Sequence, residues 1–336
     1  MQVCRMSETI GSMLLSLCIV AMYACAASQR TETRGQQGDA TIDSSKPQEV
    51  RGLRVGDHIA GKGTLVWHDE FDGTELDSAK WNYEIGIGNQ YKDIPPGWGN
   101  AEKQYYQPEN VRVQGGKLII EAKKQSVGGM NYTSGRITTA GVWSTQNAPL
   151  PRKYMTPKSG FVEARLKSPS GAGFWPAFWL LGANANEHNG LERVGWPRCG
   201  EIDIFETNGA NPTLVDQTIH YGTKYPESYW HTGKKSGVAN ASEAYHIYGV
   251  GWNSTELKYF IDGVMTQTIV FPLPEESAGA NSAAFYGGPG FSIIINLALG
   301  GFYLSPDAGT VPSDAVLAGD DWERRSIMVD WVRVFQ

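Results

Sequence analysis

The sequence predicts an all-β protein, a sandwich of two antiparallel sheets, and three observations predict it. Apolar and polar residues alternate over short stretches, as in Val162, Ala164 and Leu166 against Glu163, Arg165 and Lys167. Leu257, Tyr259 and Ile261 alternate in the same way with Lys258, Phe260 and Asp262, and a period of two marks a strand with one buried face. The 336 residues include 40 Gly, 17 Pro, 11 Trp and 15 Tyr, a composition suited to many short strands joined by tight turns. No long helical periodicity competes with these signals.

In chain order, residues 1–27 carry Arg5 and then a mostly apolar run from Ile10 to Ala27, the pattern of an export signal. Ala24, Ala26 and Ala27 suit ordinary cleavage, while Ala24-Cys25 also suits a lipoprotein signal in which Cys25 is acylated. An uncleaved anchor helix is a third reading, the run being marginally short for a span of ~20 residues. All three place the folded part outside the cytoplasm, secreted or at the cell surface, with membrane contact only through such an anchor. Residues 28–63 are polar and without apolar period, and read as a flexible tether. Residues 64–336 then read as one domain, expected to be monomeric, with strands at TLVWHDEF, GKLIIEAKK, GFVEARLK, TELKYFIDG, FSIIINLAL and IMVDWVRVF. A single all-β unit of this length, without internal repeat, fits a two-sheet jelly roll.

Charge and cysteine content narrow the function. The 29 Lys and Arg against 35 Asp and Glu give a net charge of -6, which leaves no basic excess to neutralise a phosphate backbone, so nucleic acid is not an expected partner. Cys4, Cys18 and Cys25 fall in the signal and only Cys199 in the domain, so no internal disulfide forms there and Cys199 is expected to be a small buried hydrophobe.

The chemistry concentrates in Gly200-Glu201-Ile202-Asp203-Ile204-Phe205-Glu206. On a regular strand Glu201 and Asp203 would share one face and Glu206 would enter the apolar layer, at a cost of several kcal/mol for a buried carboxylate without a partner. One extra residue, a β-bulge between Asp203 and Glu206, returns the last acid to the face of the first two. Carboxyl groups ~5–5.5 Å apart suit a retaining glycosidase, one attacking the anomeric carbon and the other protonating the departing oxygen. Three acids on a strand also suit a solvated face or a Ca²⁺ site, and the bare pattern does not decide. Trp175 and Trp179 share one strand face, where their rings can stack on sugars, although Phe174 and Phe178 could equally be the exposed pair. His220 is placed on the adjacent strand, within reach of the acids. Asp330 falls in the apolar register of Met328, Val332 and Val334 and needs a partner.

With GFWPAFWLLG before it and TIHYG after it, GEIDIFE resembles glycoside hydrolase family 16, in particular its laminarinase-like endo-β-1,3-glucanases. The blocks LVWHDEFDG, GWGNAEKQYYQPENVRVQGGKLIIEA, YTSGRITT, YHIYGVGWNSTELKYFIDG, FSIIINLALGG and VDWVRVF extend the likeness from Leu65 to Gln336. The resemblance implies a jelly roll whose concave sheet forms an open cleft for β-glucan polysaccharide. It implies Glu201 as nucleophile, Asp203 as its assistant and Glu206 as general acid/base, without a catalytic cofactor. It further implies that Trp175 and Trp179 line the glycone side, that Trp98, Asn100 and Arg136 contact sugar hydroxyls, and that His220 bonds Asp203 or the leaving sugar. A structural Ca²⁺ held by Glu70, the Gly116 carbonyl and Asp330 is a further implication. Mixed-linkage glucan, agarose or carrageenan, and a non-catalytic glucan-binding role, stand as alternatives.

Overall fold

The computed structural model describes residues 53–91, 94–143, 148–186, 188 and 190–336. The expected signal, with Cys4, Cys18 and Cys25, and residues 28–52 of the expected tether lie outside them. Seven strands form the sheet that carries the site: β1 (Asn82–Tyr83), β2 (Arg136–Thr138), β3 (Phe174–Gly182), β4 (Glu201–Glu206), β5 (Leu214–Lys224), β6 (Ser228–Gly237) and β7 (Phe291–Leu299). They lie in the order β6-β5-β4-β3-β7-β2-β1. The opposing sheet has nine strands, with Ser326–Phe335 between Gly63–Asp69 and Gly160–Lys167, followed by His246–Trp252, Glu256–Ile261 and Val264–Val270. Pairing within both sheets is antiparallel; the parallel pair among the described strands, Gln104–Tyr106 with Met130–Ser134, lies in a small separate sheet.

The alternation seen in the sequence produces this layering. Val162, Ala164, Leu166, Leu257 and Tyr259 are fully buried and meet Phe174, Phe178, Ile202, Ile204 and Phe205 from the site sheet in one core. Phe205 and Tyr248 touch across the sandwich with ring centres 4.5 Å apart. Phe174 and Phe178 lie in that core, so Trp175 and Trp179 occupy the outer face, which settles the ambiguity in FWPAFW. Glu163, expected on a polar face, is buried because Lys62 neutralises it at 2.6 Å. Pairing begins before Thr64, since His58 aligns with Thr64 in a short edge ladder. Such a ladder requires only backbone groups, which explains why no apolar pattern announced it.

Candidate active site

The bulge lies where the acid spacing requires it. Along β4 and β5, Glu201 faces His220, Ile202 faces Ile219, Asp203 faces Thr218, and the next pair is Glu206 with Asp216. Three steps on β4 thus match two on β5. On the other side, Trp179 faces Asp203 and Phe178 faces Phe205, again with a register shift between them. The consecutive residues Ile204 and Phe205 are both buried, and Glu201 and Glu206 are both half-buried. The bulge therefore retains two apolar side chains in the core, roughly 1.5–3 kcal/mol each, and keeps Glu206 out of it.

Burial and mutual repulsion govern the protonation of the three acids. Burial, then the charge of Asp203, pushes the Glu201 carboxyl up to about 8, with His220 opposing. Burial followed by Asp203 likewise raises Glu206 to about 8, opposed by His220 and the Trp175 N–H. Asp203 is raised well above the carboxylate range by burial, against a hydrogen bond with Glu201. Three negative charges are not sustained together at neutral pH, and the group titrates as a unit.

Neighbouring side chains fix these acids. Trp175 Nε1 donates to Glu206 Oε1 at 2.8 Å, and the same indole stacks on Tyr303 at 4.8 Å. Tyr303 donates its hydroxyl to Asp216 Oδ2 at 2.5 Å, where Lys235 Nζ also bonds at 2.8 Å. His220 Nε2 lies 3.1 Å from Asp203 Oδ2 and 4.0 Å from Glu201 Oε1, as the sequence reading anticipated for Asp203. Trp179 Nε1 donates to Asn296 Oδ1 at 2.8 Å, Asn296 Nδ2 to the Tyr106 hydroxyl at 3.1 Å, and that hydroxyl to Glu102 Oε2 at 3.0 Å. This chain runs from the outer face to a buried acid, whose carboxyl burial raises. Beyond Tyr229 on the β6 side, Trp196 is 42% exposed and lies 5.5 Å from Tyr225 and 5.2 Å from Tyr229, centre to centre.

Other residues expected to touch sugar have different surroundings. Trp98 is only 6% exposed and donates its indole N–H to the Gly86 carbonyl at 3.2 Å. Arg136, 7% exposed, pairs with buried Glu84 and lies over the rings of Trp98 at 4.3 Å and Trp179 at 5.0 Å. Arg136 thus contacts both indoles, and neither it nor Trp98 is more than 7% exposed. Asn100 remains exposed, with Nδ2 3.3 Å from Glu102 Oε1. Tyr303, Tyr229 and Trp196 were missed because single residues in loops and on an edge strand carry no periodic signal, whereas Asp216, on the interior strand β5, shares the register of Thr218 and His220 and was open to the alternation. Asn296 was visible, as a polar residue inside FSIIINLAL.

The calcium set does not fit its surroundings. Both oxygens of Glu70 accept from Arg333, at 2.9 and 2.8 Å. Asp330 accepts from Arg165 Nη1 at 2.5 Å. Two guanidinium groups thus satisfy the carboxylates expected, with Gly116, to hold the ion, and a guanidinium repels a divalent cation; the partner that Asp330 needed is an arginine. Among the described His, Cys, Asp and Glu side chains, one group gathers ligand atoms within 4.8 Å, and it is Glu201, Asp203 and His220. Their closeness follows from the pairing of β4 with β5, which sets Glu201 opposite His220. Cys199 is buried, with its thiol raised by burial, as a structural cysteine should be.

A two-sheet sandwich that collects carboxyls and indoles on one outer sheet face is the construction of a jelly-roll glycoside hydrolase. Residues 66–336 match the family model described as beta-porphyranase A-D, GH16 domain, and the chain belongs to glycoside hydrolase family 16. It is 33% identical over 290 residues to glucan endo-1,3-beta-glucosidase A1 of Niallia circulans, covering 83% of this chain and 38% of that protein. Against the beta-glucanase of Rhodothermus marinus the identity is 34% over 284 residues, covering 81% and 85%. The laminarinase structure from Flavobacterium sp. UMI-01 is 33% identical, with a TM-score of 0.62 over 81% of this chain and 100% of that one. The chain therefore spans little more than a third of the length of the Niallia relative.

Proposed function

We propose that this chain is a retaining endo-glycosidase that hydrolyses β-1,3-glucan by double displacement. The observation that carries the reading is the bulge that sets Glu206 beside Glu201 and Asp203 on one face. Its setting in a chain about one-third identical to glucan-cleaving relatives supports the substrate. Asp203, held in its neutral form by burial, donates its hydrogen to Glu201 and leaves Glu201 ionised as the nucleophile. Glu206, protonated, donates to the departing glycosidic oxygen while Glu201 attacks the anomeric carbon. Glu206 then takes a proton from water as that water releases the sugar from Glu201. Trp175 and Trp179 stack the sugars on the glycone side. No cofactor enters this chemistry.

The description of the matching model favours a second reading, cleavage of porphyran. A non-catalytic glucan binder is disfavoured, because both glutamates are present and oriented together. Reducing-sugar release from laminarin, lichenan, agarose, carrageenan and porphyran decides among these. Laminarin cut first into a ladder of oligosaccharides supports the proposal; binding without shortening, or cleavage of porphyran alone, rejects it. Export is proposed as well, and the mass of the mature N-terminus in the native host distinguishes cleavage near Ala27 from acylation at Cys25.

A further inference from the structure

Tyr229 lies outside the residues given roles above, yet it is built into the same cluster. In the β5–β6 ladder His220 pairs with His231 and Gly222 with Tyr229, so Tyr229 is the next side chain along the face of His220. Gly222 makes this approach possible: its φ is +132°, and an added Cβ would lie 2.1 Å from the Ser228 carbonyl oxygen, beside the ladder's irregularity. The Tyr229 ring stacks on the imidazole at 5.9 Å with 10° between planes, and its hydroxyl lies 2.6 Å from His220 Nδ1. Trp196, Tyr225 and His231 surround the ring at 5.2, 5.1 and 6.1 Å.

A neutral imidazole carries one N–H. Nε2 faces two acids, Asp203 at 3.1 Å and Glu201 at 4.0 Å, and a lone pair directed at carboxyl oxygens would be repelled. The hydrogen therefore belongs on Nε2, and Nδ1 is left as an acceptor. The phenol supplies what Nδ1 needs, because burial and the charges of Glu201 and Asp203 hold it far above the ordinary tyrosine range, in its donor form. Glu201 and Asp203 from β4 and His231 and Tyr229 from β6 are the titratable groups facing the ring, with Glu206 and Asp216 further along the face.

We propose that Tyr229 is a positioning residue: its hydroxyl, donated to His220 Nδ1, holds the imidazole with Nε2–H aimed at Asp203. The inference rests on the hydrolase reading for its catalytic consequence, but not for its structural content. In this arrangement Nε2 stands 3.1 Å from Asp203 Oδ2, an oxygen that no other described group hydrogen-bonds, so a wandering tautomer weakens the nucleophile without touching substrate.

The test is Tyr229→Phe, which keeps the ring and its stacking. Loss of one such hydrogen bond is expected to lower kcat on laminarin about fivefold to tenfold with KM within about twofold. The low-pH limb of the kcat profile moves to higher pH, because Glu201 loses support for its charged form. In a His220→Gln background, where the amide offers its own N–H, the same substitution has little further effect. Nitrogen-15 NMR of histidine-labelled protein reads the tautomer directly: the wild type shows Nε2–H, and Tyr229→Phe shows exchange between tautomers. An unchanged tautomer in the variant, or a pH profile that superimposes on the wild type, overturns the proposal. Because the NMR needs no turnover, wild-type inactivity on laminarin rejects the hydrolase reading and leaves this one standing or falling by itself.

Discussion

Asp203 decides how charge is shared at the site. It is 3% exposed, and a neutral Asp203 beside Glu201 acts as a donor where an ionised one would only repel. Asparagine keeps a donor at this position. Asp203→Asn is therefore expected to retain far more activity than Asp203→Ala, which loses a hydrogen bond to a charged group, worth ~1.5–3 kcal/mol or roughly 10- to 150-fold in kcat. Equal losses in the two variants, measured on laminarin, would mean that Asp203 acts through its negative charge. The same burial has a stability consequence. Burial, then Asp203, pushes the Glu206 carboxyl up to about 8 from its ordinary 4.5, so between those pH values the folded state holds a proton the unfolded state has released. Stability therefore falls as pH rises through that window, the opposite of a salt-bridged carboxylate. Glu206→Gln keeps an acceptor for the Trp175 N–H and removes the titration. It is expected to match the wild type near pH 4.5 and to melt higher at pH 8, by on the order of 2 kcal/mol once coupling to Glu201 is allowed for. A constant difference across pH would contradict the shift.

At the scale of elements, β4 was legible because its chemistry conflicts with a regular strand. An acid at an odd offset from its partners must be buried or be turned out by an insertion, and the side chains of Ile204 and Phe205 show the insertion at work. β3 was only half legible. FWPAFW has aromatic residues in both registers, and nothing in the alternation says which pair faces the core; that is set by Phe174 and Phe178 packing against the opposite sheet. The supports behind the tryptophans come from distant segments, Asn296 on β7 and Tyr303 in the loop after it, so even where the residue stood out, as Asn296 does in an apolar run, its partner did not. Trp175 joins these supports to Glu206. Trp175→Phe keeps much of the stacking surface but removes the hydrogen bond, so Glu206 loses a donor that favours its charged form. Its carboxyl then moves up further, and the high-pH limb of the kcat profile is expected to shift to higher pH. A profile altered only in height would assign Trp175 to binding alone.

At the scale of the whole molecule, the alternating stretches and their turns identified the two sheets and most of their central strands. Short strands such as Asn82–Tyr83 and Arg136–Thr138 escaped because two or three residues cannot display a period. The ion expected on the opposite sheet failed for a related reason. The position of Asp330 was readable, but whether a cation or an arginine meets it depends on Arg165 and Arg333, brought near the two acids only by strand pairing. Chelation with EDTA is accordingly expected to leave the melting temperature unchanged, whereas Arg333→Met, which leaves Glu70 without its bidentate partner, lowers it by roughly 3–5 kcal/mol equivalent. A melting temperature that falls with EDTA and recovers with Ca²⁺ would restore the ion.

The irregularity in β4 is proposed to set Glu201 and Glu206 against one sugar bond in different roles. A 2-deoxy-2-fluoro laminarioligosaccharide with a good leaving group traps the glycosyl ester of a retaining enzyme, and peptide mass spectrometry locates it. A single adduct on Glu201 is expected. An adduct on Glu206, or steady turnover of natural laminarin that the reagent never arrests, would contradict it.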